Sequence, residues 1–166
     1  MDYHLLVPQV GGSESDDLFI GFGLFFSLWV VVVAKFSDIG ALLVGKAIGR
    51  TKLAPSISPG KTIEGLIGGF GASAGMGALL PWIFQEKFPD VVYFGDWVFT
   101  PVQGALWGFV IALSAVIGDL IASVMKRLAS MKDSGGAIPG IGGLFDLTDS
   151  LILAAPTGYL ILFLLQ

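Results

Sequence analysis

The sequence predicts an all-α fold: a polytopic membrane helix bundle of about four transmembrane helices plus short cytoplasmic helices. The first reason is composition, since 54% of the 166 residues are hydrophobic and only 13% are charged, whereas soluble domains carry about 25% charged residues. The second is the presence of four apolar runs that approach the roughly 20 residues needed to cross a bilayer. The mean hydropathy of +0.83 agrees with both.

Each apolar run has a recognisable character. The first, residues 18–34, follows an acidic leader and lacks the basic segment and cleavage-site pattern of a signal peptide. The second, residues 63–84, is rich in Gly and Ala, which let helices approach closely in lipid. The third, residues 98–125, is longer than a span requires, and the fourth covers residues 147–165. The sequence contains no Cys, which excludes disulfides and thiolate metal sites.

The basic residues predict the orientation of the bundle. Eight of the nine lie between the first and second runs or between the third and fourth, and only Lys87 lies in the middle connection. Because basic loops stay on the cytoplasmic side, both basic connections should meet there. The net charge of −4 argues against a nucleic-acid partner. We expect a short polar leader, residues 1–17, and one membrane-embedded domain, residues 18–166.

A carboxylate lies unusually deep in the third run. Asp119 is followed at i+4, i+7 and i+8 by Ser123, Lys126 and Arg127, so the four side chains share one helix face. Charges at membrane depth are costly and usually mark a functional site. The basic pair could instead be snorkelling residues that only set topology, and Asp119 could have a structural role.

A glycine-rich loop links the third run to the fourth, where Asp146 and Asp149 stand at i and i+3. Such a loop can fold tightly and present backbone N–H groups to an anion. The other residues of interest in the loop are Lys132, Asp133, Gly142 and Gly143. Carboxylates with cations and a glycine-rich loop suit Mg²⁺ and phosphate. The alternative is that the two Asp residues only favour the helix macrodipole.

The order of these residues resembles the signature of the phosphatidate cytidylyltransferases, also called CDP-diacylglycerol synthases. The matching pattern is Ser123-x-x-Lys126-Arg127-x4-Lys132-Asp133-x5-Pro139-x-x-Gly142-Gly143-x-x-Asp146-x-x-Asp149. A second similar stretch runs from Lys35-Phe-Ser-Asp38 through Ser58-Pro59-Gly-Lys61-Thr62-Ile-Glu64. The resemblance covers roughly residues 30–165. Ile141 and Leu147 depart from the family pattern, which has His and Arg there. Family members are longer, so the chain resembles their C-terminal, catalytic part.

The resemblance implies an enzyme that joins CTP and phosphatidate to give CDP-diacylglycerol and pyrophosphate. It implies that the reaction requires Mg²⁺, and it is compatible with a second metal ion and with a homodimer. We expect a bacterial-type inner-membrane location, contact with membrane lipids and a site on the cytoplasmic side. The implied metal ligands are Asp119, Asp146 and Asp149. The implied phosphate-binding residues are Lys126, Arg127 and Lys132, with Asp133 orienting a lysine or the nucleotide.

Further substrate contacts are implied for a second group of residues: Asp38, Ser58, Lys61, Thr62, Glu64, Ser123, Gly142 and Gly143. Ser58-Pro59 resembles a helix start, which would place Thr62 and Glu64 in the first turns of that helix. Two other functions stay open. An inactive membrane subunit would suit Leu147, and a small ion-coupled transporter would suit an intramembrane carboxylate.

Overall fold

The structure is a computed structural model that describes residues 14–55, 57–88, 92–94, 97–128 and 148–164. These residues form four α-helices and two short β-hairpins, which confirms the predicted all-α class. The elements are α1 (Glu14–Ile48), β1 (Lys52–Ala54), β2 (Ser58–Thr62), α2 (Ile63–Lys87), β3 (Tyr93–Phe94), β4 (Trp97–Val98), α3 (Pro101–Leu128) and α4 (Leu151–Leu164). Each hairpin is a pair of antiparallel strands.

Successive helices run antiparallel. Between α2 and α3, Gly77 lies against Gly104 near one end and Ser73 against Gly108 a turn further along. Between α3 and α4, Thr157 Oγ1 lies 3.0 Å from Ser114 Oγ. The end of α1, the start of α2, the end of α3 and the start of α4 therefore share one end of the bundle. That end carries the candidate site residues.

Close backbone packing holds α2 between its neighbours. A methyl group added at Gly77 would collide with the Gly104 carbonyl, and one added at Gly104 would collide with the Gly77 carbonyl. Ser73 Oγ adds hydrogen bonds to the carbonyls of Gly108 at 2.8 Å and Val33 at 3.3 Å. The helices approach here because small residues leave room, as is typical of helix contacts in lipid.

An aromatic cluster fills the other end of the bundle. Trp29 on α1 stacks on Phe26 at a centroid distance of 5.4 Å and meets Phe99 edge-on at 5.1 Å. Its indole nitrogen donates to the Gly77 carbonyl at 3.1 Å, so the ring's polar atom is satisfied. Phe25 packs on Phe84 of α2 at 4.9 Å. The cluster fixes α1 against α2 and the start of α3.

Three of the four helices are long and apolar enough to cross a membrane: Ile20–Ile48, Ile63–Lys87 and Pro101–Leu128. Large apolar side chains such as Ile67, Leu106 and Leu160 point outward from the bundle. In water such a surface would be unfavourable, but lipid solvates it. The protein is therefore an integral membrane protein. The helix at the fourth run, α4, has 14 residues and is shorter than the predicted span.

Two predicted boundaries were wrong. The first helix does not stop at Ala34 but continues to Ile48, so Lys35 and Asp38 are helical. It continues because its later residues pack on α2 and no Pro interrupts it. The predicted helix start at Ser58-Pro59 is strand β2, and α2 begins only after Thr62, its N-cap. α1 begins at Glu14, within the predicted leader; the domain boundary at residue 17 stays a prediction.

Candidate functional site

A cavity of about 410 Å³ lies at the charged end of the bundle. It is bordered by the second half of α1, the β1–β2 hairpin, the start of α2, the second half of α3 and the turn before α4. Its polar lining residues are Ser37, Asp38, Ser58, Lys61, Thr62, Asp119 and Asp149. Leu42, Leu53, Leu66 and Val116 supply apolar wall, so the cavity has both polar and apolar surfaces.

Each of the three cavity carboxylates has a lysine partner. Lys61 Nζ lies 2.7 Å from Asp119 Oδ2 and joins β2 to α3. Lys126 Nζ lies 3.6 Å from Asp149 Oδ2 and joins α3 to the turn before α4. Lys35 and Asp38, which are one turn apart on α1, are 3.4 Å apart. The Lys61 and Lys126 pairs are partly shielded from solvent and therefore interact more strongly than surface ion pairs. The Lys35 pair is more exposed and is closer to a surface ion pair.

Asp119 and Asp149 lie side by side. Burial raises the pKa of the Asp149 carboxyl above its usual range, and the charge of Asp119 raises it further. The Ser150 backbone N–H, 2.8 Å from Asp149 Oδ1, and the Lys126 ammonium act in the opposite direction without cancelling the rise. Two adjacent carboxylates are unfavourable unless a proton or a cation lies between them. This arrangement is suited to receiving a cation.

The donor set fits Mg²⁺. No group of three Asp, Glu, His or Cys side chains that could hold a metal occurs within the described residues, so Asp119 and Asp149 offer two carboxylates. Mg²⁺ needs no more than one or two from the protein, because it keeps waters and takes substrate phosphates as ligands. The third predicted ligand, Asp146, lies outside the described residues.

Glu64 and Thr62 build the frame around the cavity. The Glu64 carboxylate accepts hydrogen bonds from the backbone N–H groups of Arg50 and Thr51, at 3.1 and 3.2 Å, and from Thr51 Oγ1 at 2.9 Å. It therefore fixes the chain where α1 passes into the hairpin. Thr62 Oγ1 accepts from the Gly65 N–H at 3.1 Å and caps α2. Both residues hold β2, which carries Lys61, against the helices.

Comparison with known proteins gives these residues a context. The chain matches the sequence profile of the cytidylyltransferase family over residues 17–165. The chain belongs to the cytidylyltransferase family. It is 41% identical over 143 residues to a phosphatidate cytidylyltransferase of Synechocystis sp., covering 86% of this chain and 45% of that protein.

Two further relatives carry the same name. The phosphatidate cytidylyltransferase of Helicobacter pylori (strain 26695) is 35% identical over 167 aligned positions, covering 97% of this chain and 56% of that protein. That of Bacillus subtilis is 35% identical over 141 residues, covering 85% of this chain and 48% of that protein. The chain spans about half the length of these curated relatives.

The structure brings six of the implied site residues to the walls of one cavity: Asp38, Ser58, Lys61, Thr62, Asp119 and Asp149. Lys126 joins them through Asp149. Arg127 is exposed and donates weakly from Nε to the Ile57 carbonyl at 3.4 Å. Glu64 and Ser123 are not among the residues that line the cavity.

Several implied residues fall outside the described part of the chain: Lys132, Asp133, Gly142, Gly143 and Asp146. The departures from the family pattern, Ile141 and Leu147, fall there too. The roles implied for these residues stay predictions.

Two residues of this member of the cytidylyltransferase family were missed as site residues. Lys35 Nζ donates to Ser150 Oγ at 2.8 Å, which links α1 to the turn that holds Asp149. Ser37 is 1% exposed and lines the cavity beside Asp38. The i, i+3 spacing of Lys35 and Asp38 was a signal that both are helical. The sequence held no comparable signal for the partner Ser150.

Proposed function

We propose that this chain carries the site for CTP-dependent cytidylyl transfer to phosphatidate, which yields CDP-diacylglycerol and pyrophosphate. The observation that carries the proposal is the side-by-side placement of Asp119 and Asp149, each paired with a lysine, in one cavity. The substrates are inferred from the names of the relatives. The relatives are about twice as long as the chain. For this reason the activity is a proposal based on the site and does not follow from family membership alone.

The reaction requires positive charge. A phosphate oxygen of phosphatidate forms a bond to the α-phosphorus of CTP, and the bond from that phosphorus to the bridging oxygen of the β-phosphate breaks. Pyrophosphate leaves with the electron pair. Both substrates are anionic and the leaving group gains charge, so cations that offset repulsion lower the barrier. Positioning and electrostatics, rather than covalent chemistry by the protein, account for most of the catalysis in reactions of this type.

The roles of the residues follow from their placement. Asp119 and Asp149, with Asp146 as the third ligand, would hold Mg²⁺, which supplies Lewis-acid stabilisation of the phosphates when bound. Once a bound cation neutralises the carboxylates, the ammonium groups of Lys61 and Lys126 would contact substrate phosphates instead. Thr62 and Glu64 would keep β2 in position. A second metal ion and a homodimer remain expectations of the resemblance.

The position of the cavity suits one soluble and one lipid substrate. It lies at the end of the bundle where three long apolar helices end or begin, near the expected level of lipid headgroups. Phosphatidate would reach it from the bilayer and CTP from water. The distribution of basic residues supports a cytoplasmic location for this end, where CTP is available.

The test is formation of CDP-diacylglycerol by the 166-residue chain in detergent micelles that contain dioleoyl phosphatidate, CTP and Mg²⁺. Pyrophosphate release and lipid product should appear in equal amounts, and both should require phosphatidate. Glu86→Gln, at an exposed acid of the opposite end, serves as the control for a charge change away from the cavity. A well-folded chain that releases no pyrophosphate under these conditions contradicts the proposal.

A further inference from the structure

Two buried side-chain polar atoms have no hydrogen-bond partner within the described part of the chain: Ser37 Oγ and Lys61 Nζ. Both residues line the same cavity. Lys61 Nζ is ion-paired with Asp119 Oδ2 at 2.7 Å, so among the described residues Ser37 Oγ is the one of these two atoms that has neither a hydrogen bond nor an ion pair. Buried polar groups are nearly always hydrogen-bonded, so each exception needs an explanation.

Three other buried hydroxyls among the described residues each have at least one hydrogen-bond partner. Ser73 Oγ donates to Gly108 O and Val33 O, Thr62 Oγ1 accepts from the Gly65 N–H, and Ser150 Oγ accepts from Lys35. A hydroxyl left unpaired in the interior costs free energy on the order of 1–3 kcal/mol. Ser37 is therefore an exception among comparable groups of the same bundle.

Ser37 Oγ has no hydrogen-bond partner on either side of the contact between α1 and α2, as far as the structure describes the chain. A helical serine can bond the carbonyl four residues earlier, which here is Val33 O, but Ser37 Oγ makes no such bond. Across the interface stands Gly69, which offers no side-chain atom. A Cβ there would lie 3.3 Å from Ser37 Oγ and 2.8 Å from Ser37 O. The hydroxyl is buried at the cavity wall with its donor unused.

We propose that Ser37 Oγ donates a hydrogen bond to a phosphate oxygen of a substrate bound in this cavity, next to Lys61. Ser37 offers a hydroxyl donor, and the Lys61 ammonium has three N–H donors, more than its ion pair with Asp119 uses, so the ligand must present acceptors. Phosphate oxygens fit, because they accept strong bonds from neutral and cationic donors. The identity of the ligand as CTP or phosphatidate rests on the proposed function.

The carboxylates of the cavity restrict the form of the ligand. Asp38, Asp119 and Asp149 line the same space, so a bare anion would be repelled. A phosphate that arrives with a divalent cation avoids this repulsion, because the cation offsets the carboxylates while Ser37 and Lys61 take the remaining oxygens. Ser37 thus acts as a binding residue, and it forms its hydrogen bond only when the substrate is present.

The test compares Ser37→Ala with Ser73→Ala, two buried serines that differ in whether the hydroxyl has a partner. Ser37→Ala should leave the melting temperature of the ligand-free chain unchanged or raise it slightly, because no protein hydrogen bond is lost. It should raise the Michaelis constant of one substrate by about tenfold or more. Ser73→Ala should lower the melting temperature by a few degrees, on the order expected for one lost bond, and leave both Michaelis constants unchanged.

The substrate affected identifies the bound phosphate. A rise for CTP alone assigns Ser37 to the nucleotide, and a rise for dioleoyl phosphatidate alone assigns it to the lipid. Unchanged Michaelis constants for both in Ser37→Ala overturn the inference, whatever the melting temperature.

A measurement without turnover separates this inference from the proposed function. Magnesium pyrophosphate should raise the melting temperature of the parent chain, and Ser37→Ala should reduce that shift. If the parent makes no CDP-diacylglycerol but shows a Ser37-dependent shift, the phosphate site stands and the proposed reaction fails. If the parent is active and its shift does not depend on Ser37, the proposed reaction stands and the inference fails.

Discussion

Lys61 on β2 and Asp119 on α3 form the shortest of the three Lys–Asp pairs that surround the cavity, with 2.7 Å between Nζ and Oδ2. The pair connects the two segments of sequence that carry the family pattern. Because Asp119 also adjoins Asp149, the lysine stands where a metal ion would compete for the same carboxylate.

Lys61→Gln should separate metal binding from substrate binding. Without the ammonium, Asp119 loses its competing cation, so Mn²⁺ measured by electron paramagnetic resonance in the absence of CTP should bind more tightly. The Michaelis constant of the substrate whose phosphate Lys61 contacts, CTP or phosphatidate, should rise roughly tenfold or more, as expected for the loss of a charge-assisted contact. The matched control is Lys46→Gln, since Lys46 is exposed on α1 outside the cavity. Mn²⁺ affinity equal to that of the parent would show that Lys61 does not compete for Asp119.

Asp119→Asn and Asp149→Asn should each reduce cytidylyl transfer by at least about a hundredfold, because each removes a charged metal ligand. The amide is similar in size, and its neutrality relieves the repulsion between the two carboxylates, which offsets the lost ion pair, so expression and melting temperature should change little. Glu86→Gln provides the comparison at the opposite end of the bundle. A near-normal rate at ordinary Mg²⁺ in either variant would exclude that residue as a ligand.

The helices of this fold were predictable because hydropathy is a local property. The runs at residues 63–84 and 98–125 correspond to α2 and α3 within a few residues. The end of α1 was not predictable in this way. Lys35 and Asp38 read as the beginning of a loop, yet the helix continues because tertiary contacts, such as Lys35 with Ser150, stabilise it.

The site was predictable in its residue types but not in its pairings. Asp119, Asp149 and Lys61 stand out as charges beside apolar runs, which is enough to select them. The lysine that pairs with each carboxylate depends on how the hairpin folds back on α3, and no local pattern encodes that geometry. Ser37 escaped notice because a serine in a helix is common, and only burial without a partner distinguishes it.

Glu64→Ala should weaken the frame rather than remove a substrate contact. The substitution leaves the Arg50 and Thr51 N–H groups without their acceptor, so the melting temperature should fall more than in Glu86→Ala. Turnover should fall through misplacement of Lys61. The Michaelis constant that Lys61→Gln raises should rise less in Glu64→Ala. Glu64→Gln keeps an acceptor oxygen and should recover part of the stability. A large rise in the Michaelis constant of either substrate in Glu64→Ala, with an unchanged melting temperature, would indicate that Glu64 contacts the substrate.

Gly104→Ala should destabilise the bundle, and Gly75→Ala should not. A methyl group at Gly104 meets the Gly77 carbonyl, which belongs to the backbone of α2 and cannot move aside cheaply. A methyl group at Gly75 meets nothing within 4 Å. Thermal unfolding in detergent compares the two variants. Equal melting temperatures would indicate that α2 and α3 can separate without loss of stability.

The last prediction concerns the side of the membrane on which the cavity lies. The chain has no Cys, so single cysteines report without background. Lys52→Cys on β1 and Leu128→Cys at the end of α3 are exposed at the charged end, and Glu86→Cys is exposed at the opposite end of α2. The first two should react with a membrane-impermeant maleimide only when the cytoplasmic face is accessible, because basic connections remain cytoplasmic. Glu86→Cys should react from the outside. If Lys52→Cys and Leu128→Cys were labelled from opposite sides, the hairpin and the end of α3 would lie on opposite sides of the membrane. They could then not border one cavity.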